Sequence, residues 1–116
     1  MASLISKLRD LVWTRCKGYC EKCGLPLGLD WALHHRKLKS RGGKDEVVNL
    51  VALHHACHNT GTHSVHLNPA KAEKIGLMVK SWQDPAECQL TLPDGSIVTL
   101  TSDGLYQFIE RKTNDW

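Results

Sequence analysis

The sequence predicts a small α+β domain that is held together in part by metal. Three observations support this: a helical pattern at the N-terminus, short strand-like segments further on, and cysteines and histidines at metal-ligand spacing. The chain has 116 residues, which suits one domain with a marginal core, and only 6% of its residues are aromatic. A structural metal would offset such a thin core.

The first predicted element is a helix with Ser3 as its N-cap. Leu, Ile and Val recur at helical spacing over residues 4–12, so we expect this stripe to face inward. Gly18 ends the helix after Arg15 or Lys17.

Charged residues interrupt the apolar positions of this helix, which distinguishes it from a secretory signal. No stretch of the sequence approaches the length of a membrane span. Five cysteines are an odd number, so we expect a reducing cytoplasm in which thiolates bind metal instead of forming disulfides.

The middle of the chain predicts a metal knuckle, a hairpin and a helix in that order. Residues 20–24 form the knuckle, residues 28–35 and 47–53 are strand-like, and the glycine-rich residues 40–44 make a flexible turn. A helix is then expected from near His55 towards His66, although Gly61 and Thr62 weaken it.

Residues 69–116 predict a helix and a β extension that pack on residues 1–68 in the same single domain. Asn68 is the expected cap, Pro69 the first helical position, and Gly76 the end of the helix. Strands are predicted over residues 77–82, 89–92 and 96–101, the last two joined by a turn at residues 93–95. This acidic part of the chain carries no chemical motif.

The basic residues are concentrated where the histidines are. Residues 1–66 carry ten Lys/Arg against five Asp/Glu, whereas residues 67–116 carry five against seven. A run of cations follows the first two histidines: Arg36, Lys37, Lys39, Arg41 and Lys44. The run predicts an anionic partner such as a phosphate backbone, and a solvated lysine-rich loop is the alternative.

Two matched pairs of residues predict a structural zinc site. Each pair is separated by two residues: Cys20 with Cys23, and His54 with Cys57. Together they supply the four ligands of a closed tetrahedral site. A buried free thiol is the alternative for Cys57, and we assign Cys16 and Cys88 to packing because neither has a partner at ligand spacing.

All seven histidines lie between His34 and His66. Adjacent residues of an extended strand point to opposite faces, so one of His34 and His35 can bind a metal while the other faces a substrate. A solvated pair in a loop is the alternative. His58 directly follows a zinc cysteine, so it opens in another direction and can meet His34 across the hairpin.

Four segments in this order resemble the HNH endonuclease motif, and especially that of small zinc-containing HNH proteins of bacteriophages. The segments are His34-His35-Arg36, Arg41-Gly42-Gly43-Lys44-Asp45, Asn49-Leu50-Val51-Ala52-Leu53 and Cys57-His58-Asn59. The resemblance covers about residues 16–68. It implies a ββα-metal fold, in which a β-hairpin and a helix hold one catalytic divalent cation beside the zinc knuckle.

The family pattern also implies a role for each motif residue. His34 is the first metal ligand, His35 the general base, Asn49 the residue that orients the base or the loop, and His58 the helix ligand. A further ligand often lies about one helical turn later, where His63 and His66 are the candidates, and we assign His63. Position 54 is often cysteine in the family but is histidine here.

The resemblance implies a metal-dependent endonuclease that hydrolyses DNA. It uses a structural Zn²⁺ and a catalytic cation, for which Mg²⁺ is favoured and Mn²⁺, Ni²⁺ and Zn²⁺ are alternatives. Phosphodiester hydrolysis needs an activated water and a charge that stabilises the phosphate, which His35 and the cation would supply. Among phage proteins the implied role is genome processing or packaging beside a terminase, in the cytoplasm of the bacterial host.

Two other functions stay open on the sequence alone. A non-catalytic zinc module could bind nucleic acid, although it would leave five histidines without a role: His34, His35, His58, His63 and His66. A thiol redox protein built on Cys20 and Cys23 is the third possibility, and the basic residues and missing βαβ pattern count against it.

Overall fold

The computed structural model describes residues 3–112 and confirms the α+β class. The helices and strands in chain order are α1 Leu4–Cys16, β1 Ala32–His35, β2 Leu50–Leu53, α2 Pro69–Lys74, β3 Leu90–Thr91, β4 Ile97–Leu100 and β5 Tyr106–Glu110. Strands β1 and β2 form an antiparallel hairpin, and β3, β4 and β5 form an antiparallel sheet with β4 in the middle. Residues 1–2 and 113–116 lie outside the described residues. They are the outer ends of the predicted segments 1–68 and 69–116.

Helix α1 begins where the sequence predicts. The Ser3 hydroxyl accepts a hydrogen bond from the Ser6 N–H at 3.2 Å, which satisfies a free donor of the first turn. The helix ends at Cys16, and its C-cap Lys17 has a left-handed backbone (φ 57°), as does Gly18 (φ 78°).

The inward face of α1 is narrower than the apolar stripe predicts. Its buried residues are Leu8, Val12, Arg15 and Cys16, whereas Leu4, Ile5 and Leu11 are exposed. The cation Arg15 therefore lies in the core, where it is stable only because its hydrogen-bond partners are buried with it.

The Arg15 guanidinium and the Glu21 carboxylate form a buried ion pair at 2.8 Å. Glu21 also accepts hydrogen bonds from the Ala52 N–H at 2.9 Å and the Tyr106 hydroxyl at 2.6 Å. Other N–H groups of Arg15 donate to two main-chain carbonyls, one just before β2 and one in it. These partners satisfy both charges and join α1, β2 and β5 at one point.

Arg36 makes a second buried connection, between β1 and the C-terminal residues. Its side chain is fully buried (0% exposed) and donates to four main-chain carbonyl groups, those of Val48, Gly76, Pro85 and Cys88. Burial lowers the pKa of Arg36 to about 10, so the group remains a cation at neutral pH. The sequence-based assignment of Arg36 to DNA binding is therefore wrong, because its donors are used inside the protein.

The predicted helix over residues 55–66 is wrong. A single π-helical turn, Ala56–Thr60, follows β2 and ends at Gly61, where the backbone is extended. A Cβ atom at Gly61 would lie only 2.5 Å from the Ala56 carbonyl oxygen, so glycine suits this tight return of the chain. Residues 61–68 then fold back over the turn.

The C-terminal predictions were met in part. The hairpin at residues 93–95 is present between β3 and β4, and α2 starts at Pro69. Asn68 precedes α2 as predicted, but its side chain donates to the carbonyls of Thr62 and Ser64 instead of capping the helix.

The predicted strand over residues 77–82 is wrong, because this segment joins no sheet. Its Val79 N–H donates to the Arg36 carbonyl at 2.8 Å instead. Strand β5 was not predicted.

None of the helices formed by residues 3–112 combines the length and the apolar character needed to cross a membrane.

We predict that Tyr106→Phe destabilises the protein by about 2 kcal/mol, because Glu21 loses a buried donor that is not replaced by water. Chemical denaturation followed by circular dichroism measures this free energy of unfolding. Tyr19, the other tyrosine in the chain, is 51% exposed, so Tyr19→Phe is the matched control and should have little effect. Equal stability of the two variants would contradict a supporting role for the Glu21 network.

Candidate metal centre and catalytic site

The structure brings the four predicted zinc ligands together. The ligand atoms of Cys20, Cys23, His54 and Cys57 all lie within 4.8 Å of one another. The first two lie in the turn after α1, where the Gly24 N–H donates to the Cys20 carbonyl at 2.9 Å. The other two lie at the end of β2 and in the following helical turn.

The orientation of His54 fits a metal ligand. Its Nε2 lies 2.7 Å from the Pro26 carbonyl oxygen, and its Nδ1 lies 3.3 Å from the Cys23 sulfur and 4.0 Å from the Cys57 sulfur. A carbonyl can only accept, so Nε2 carries the proton and Nδ1 offers its lone pair to the cluster. Three sulfurs and one such nitrogen fit a structural zinc ion.

The protonation of Cys57 depends on its neighbours in this cluster. Burial, together with the neighbouring Cys20 and Cys23, raises the pKa of Cys57 to about 12. The Cys57 thiolate is therefore disfavoured without a cation, and metal binding there would release its proton. Against the opposing effect of burial, backbone N–H groups lower the pKa of Cys20.

A second cluster consists of His34, His58 and His66, whose ligand atoms also lie within 4.8 Å of one another. His34 is buried in β1, and its Nε2 lies 2.7 Å from the Leu77 carbonyl oxygen. The carbonyl fixes the proton on Nε2, so Nδ1 of His34 carries the free lone pair. The residue that orients this ligand therefore comes from the C-terminal part of the chain.

His58 and His66 present their rings to the same point. Their Nε2 atoms lie 2.9 Å apart. Two nitrogens bound to one cation at about 2.1 Å and at right angles would lie about 3.0 Å apart, so this spacing fits a shared cation. Three ligands in the described part of the chain leave coordination positions for water or a substrate, as a catalytic site requires.

Two histidines of this cluster, His34 and His58, have lowered pKa values. Burial lowers the pKa of His34 to about 3, with the nearby His58 and His66 acting in the same direction. Burial and His66 likewise lower the pKa of His58. Neutral imidazoles have the lone pairs that a metal needs.

His63 is not part of this group among the described residues, and His66 occupies the place that the sequence assigns to His63. Because the helical turn ends at Gly61, the chain returns alongside it: the Val65 N–H donates to the Cys57 carbonyl at 2.8 Å, and the His66 N–H to the His58 carbonyl at 3.1 Å. One continuous helix over residues 55–66, as the sequence predicts, would not allow these two hydrogen bonds.

His35, the predicted general base, is hydrogen-bonded to a carboxylate. Its Nε2 donates to Asp45 at 2.7 Å, so its Nδ1 is the nitrogen that can accept a proton. The hydrogen bond from His35 holds the pKa of Asp45 below its usual range, and Lys39 at 3.6 Å adds to this. The sequence contains Asp45 within the motif but gives no signal of this pairing.

Asn49 is fully buried and holds the loop between the two strands. Its Oδ1 accepts from the Lys37 N–H at 2.7 Å, and its Nδ2 donates to the carbonyls of Lys37 at 3.0 Å and Lys44 at 3.1 Å. The side-chain contacts of Asn49 are thus with the loop, which is one of the two roles expected from the sequence.

Comparison with protein family models gives a match that covers most of these residues. Residues 20–64 match the model of the HNH endonuclease family. The matched HNH segment contains the four candidate zinc ligands with His34, His35, Asn49 and His58, and it ends just before His66. Neither the comparison with curated proteins nor that with solved structures gives a match.

The loop of the HNH segment retains four of the five cations predicted to contact DNA. Lys39 and Lys44 are exposed, and Lys37 and Arg41 are partly exposed. Lys37 Nζ donates to the Gln83 carbonyl at 3.1 Å, and Arg41 donates to the Val79 carbonyl at 3.2 Å. The loop therefore contacts the C-terminal segment as well as solvent.

We predict that Cys57→Ser releases zinc from the HNH segment and lowers the melting temperature by about 10 °C or more, because structural zinc contributes directly to folding. Elemental analysis and thermal denaturation measure the two effects. Cys88→Ser is the matched control, since Cys88 lies outside the cluster. A Cys57→Ser protein with one bound zinc and the wild-type melting temperature would exclude this site.

We predict that His58→Ala and His66→Ala each weaken binding of a second cation by about tenfold or more, whereas His63→Ala changes it little. Titration of the zinc-loaded protein with Co²⁺, followed by absorbance, measures the affinity. A larger effect of His63→Ala than of His66→Ala would show that the chain pairs differently after Gly61.

Proposed function

We propose that the protein is a metal-dependent endonuclease that hydrolyses phosphodiester bonds in DNA. The observation that carries this proposal is the open cluster of His34, His58 and His66, in which His34 is the neighbour in β1 of His35, the partner of Asp45. The family match supports nuclease activity as the class of reaction.

A divalent cation held by the three histidines would supply positive charge to the scissile phosphate and the leaving 3′-oxygen. The set contains nitrogen ligands alone, which suit Mn²⁺, Ni²⁺ or Zn²⁺ better than Mg²⁺, an ion that prefers oxygen. We therefore propose a transition metal in place of the Mg²⁺ favoured from the resemblance.

His35 performs the proton transfer. Its Nδ1 takes a proton from the attacking water, while its Nε2–H stays on Asp45, whose carboxylate stabilises the imidazolium that forms. The loop fixed by Asn49 holds the flanking DNA backbone through Lys37, Lys39 and Lys44, without reading the sequence.

A role in phage genome processing or packaging beside a terminase, in the bacterial cytoplasm, stays a prediction of the resemblance. It would require the nuclease activity proposed above.

We predict that His35→Ala lowers the rate of plasmid nicking by about 10²- to 10⁴-fold, because the water loses its general base. The assay uses supercoiled plasmid and zinc-loaded protein with added Mn²⁺, Ni²⁺ or Mg²⁺. His55→Ala is the matched control, because His55 also donates to a carboxylate, that of Asp30 at 2.9 Å, but lies outside both metal clusters. Unchanged nicking by a folded His35→Ala protein would refute the assignment, and a zinc module without catalysis would show no nicking in any variant.

A further inference from the structure

Trp82 is a large exposed side chain that the proposed hydrolysis does not use. Its side chain is 77% exposed, and it lies between α2 and the short 3₁₀ helix Pro85–Glu87. Single exposed apolar residues are common on protein surfaces, so its exposure alone indicates little. The surroundings of the ring are more informative.

Trp82 lies between two clefts, and each of them is also lined by two cations. The first has a volume of about 400 Å³ and is lined by Lys37 and Lys44, together with Glu46 and Asp84. The second, of about 290 Å³, is lined by Arg41, Lys80 and Glu73. An exposed aromatic ring beside cationic side chains is a combination that binds single-stranded nucleic acid.

Two of the three carboxylates in these clefts already have partners. Asp84 accepts a hydrogen bond from the Ala86 N–H at 3.0 Å, and Glu73 lies 3.9 Å from the Lys80 ammonium. The Lys80 ammonium is also 5.3 Å from the centre of the Trp82 ring. The two clefts together carry only a small excess of positive charge. The Trp82 ring therefore determines which ligand binds this surface, and the lysines add to the affinity.

The surface is fixed relative to the proposed catalytic site. Asn49 holds Lys37 and Lys44 at the two ends of their loop, and Lys37 Nζ reaches the Gln83 carbonyl next to Trp82. Asp45, the partner of His35, directly follows Lys44. Lys44 of the first cleft is therefore adjacent in the chain to the carboxylate that holds His35.

We propose that Trp82 stacks on an unpaired base of the DNA, while Lys37 and Lys44 contact its flanking phosphates. The inference rests on the proposed function for the identity of the ligand as DNA. A base within a duplex is covered on both faces by its neighbours, so only an unpaired base offers a face to the ring. The substrate class is thus DNA with a single-stranded or locally unpaired segment next to the cleaved bond.

The test measures binding rather than cleavage. Fluorescence anisotropy follows zinc-loaded protein, without other added divalent cations, binding to a labelled oligothymidylate and to a duplex of similar length. Trp82→Ala should weaken binding to the single strand about tenfold, the effect of one lost base stack, and change duplex binding little. Trp82→Phe should restore most of the affinity, because phenylalanine can still stack.

Tyr19→Ala is the matched control for a lost exposed aromatic side chain. The cleft that Tyr19 lines contains no Lys or Arg among its described residues, so this variant should bind the oligothymidylate like the wild type. Equal affinity of Trp82→Ala and wild type for the single strand would overturn the proposal. An equal loss on both DNA forms would overturn it as well, because stacking discriminates between them.

Intrinsic fluorescence gives a second measurement that does not depend on the alanine variant folding. The chain has four tryptophans, and oligothymidylate should quench wild-type emission but leave Trp82→Phe emission unchanged. Quenching that persists in Trp82→Phe would assign the contact to another tryptophan and overturn the proposal. Plasmid nicking reports separately on the nuclease, so failure of stacking and failure of catalysis are distinguishable.

Discussion

The carboxylate of Glu21 is the group on which the arrangement of the whole molecule depends. It accepts hydrogen bonds from α1 through Arg15, from β2 through the Ala52 N–H and from β5 through Tyr106. A buried carboxylate is stable only with such partners, so the three elements must meet where the charge lies. Glu21 directly follows the candidate zinc ligand Cys20, and the knuckle therefore takes its position from the same residue.

The two candidate metal sites share one short segment of chain. His54 and Cys57 face the zinc cluster, while His58, the next residue, faces His34 and His66. A zinc ion at the first cluster would thus hold the turn that positions His58. If both clusters hold their proposed metals, the geometry of the proposed catalytic site would follow from structural metal binding, and the small core would not have to provide it alone.

Local spacing predicted helix α1, the zinc ligands and the β3–β4 hairpin, because each depends on residues close together in the sequence. It did not predict the place of His66, which depends on the chain folding back after Gly61 through main-chain hydrogen bonds to Cys57 and His58. Nor did it distinguish Arg36 from its basic neighbours. The burial of Arg36 depends on carbonyl groups forty or more residues away, as well as on Val48, and composition holds no signal of them.

Strand β5 has consequences for self-association. Within residues 3–112 it pairs with β4 on one side only, which leaves a free edge that carries Phe108 and Ile109. Such an edge can extend its sheet with a second chain. The register shift between Ile97 and Val98 distorts the pairing of β4 with β5, and the Arg111 guanidinium covers the Phe108 ring at 3.7 Å. Irregular pairing and a positive charge together discourage uncontrolled aggregation through this edge.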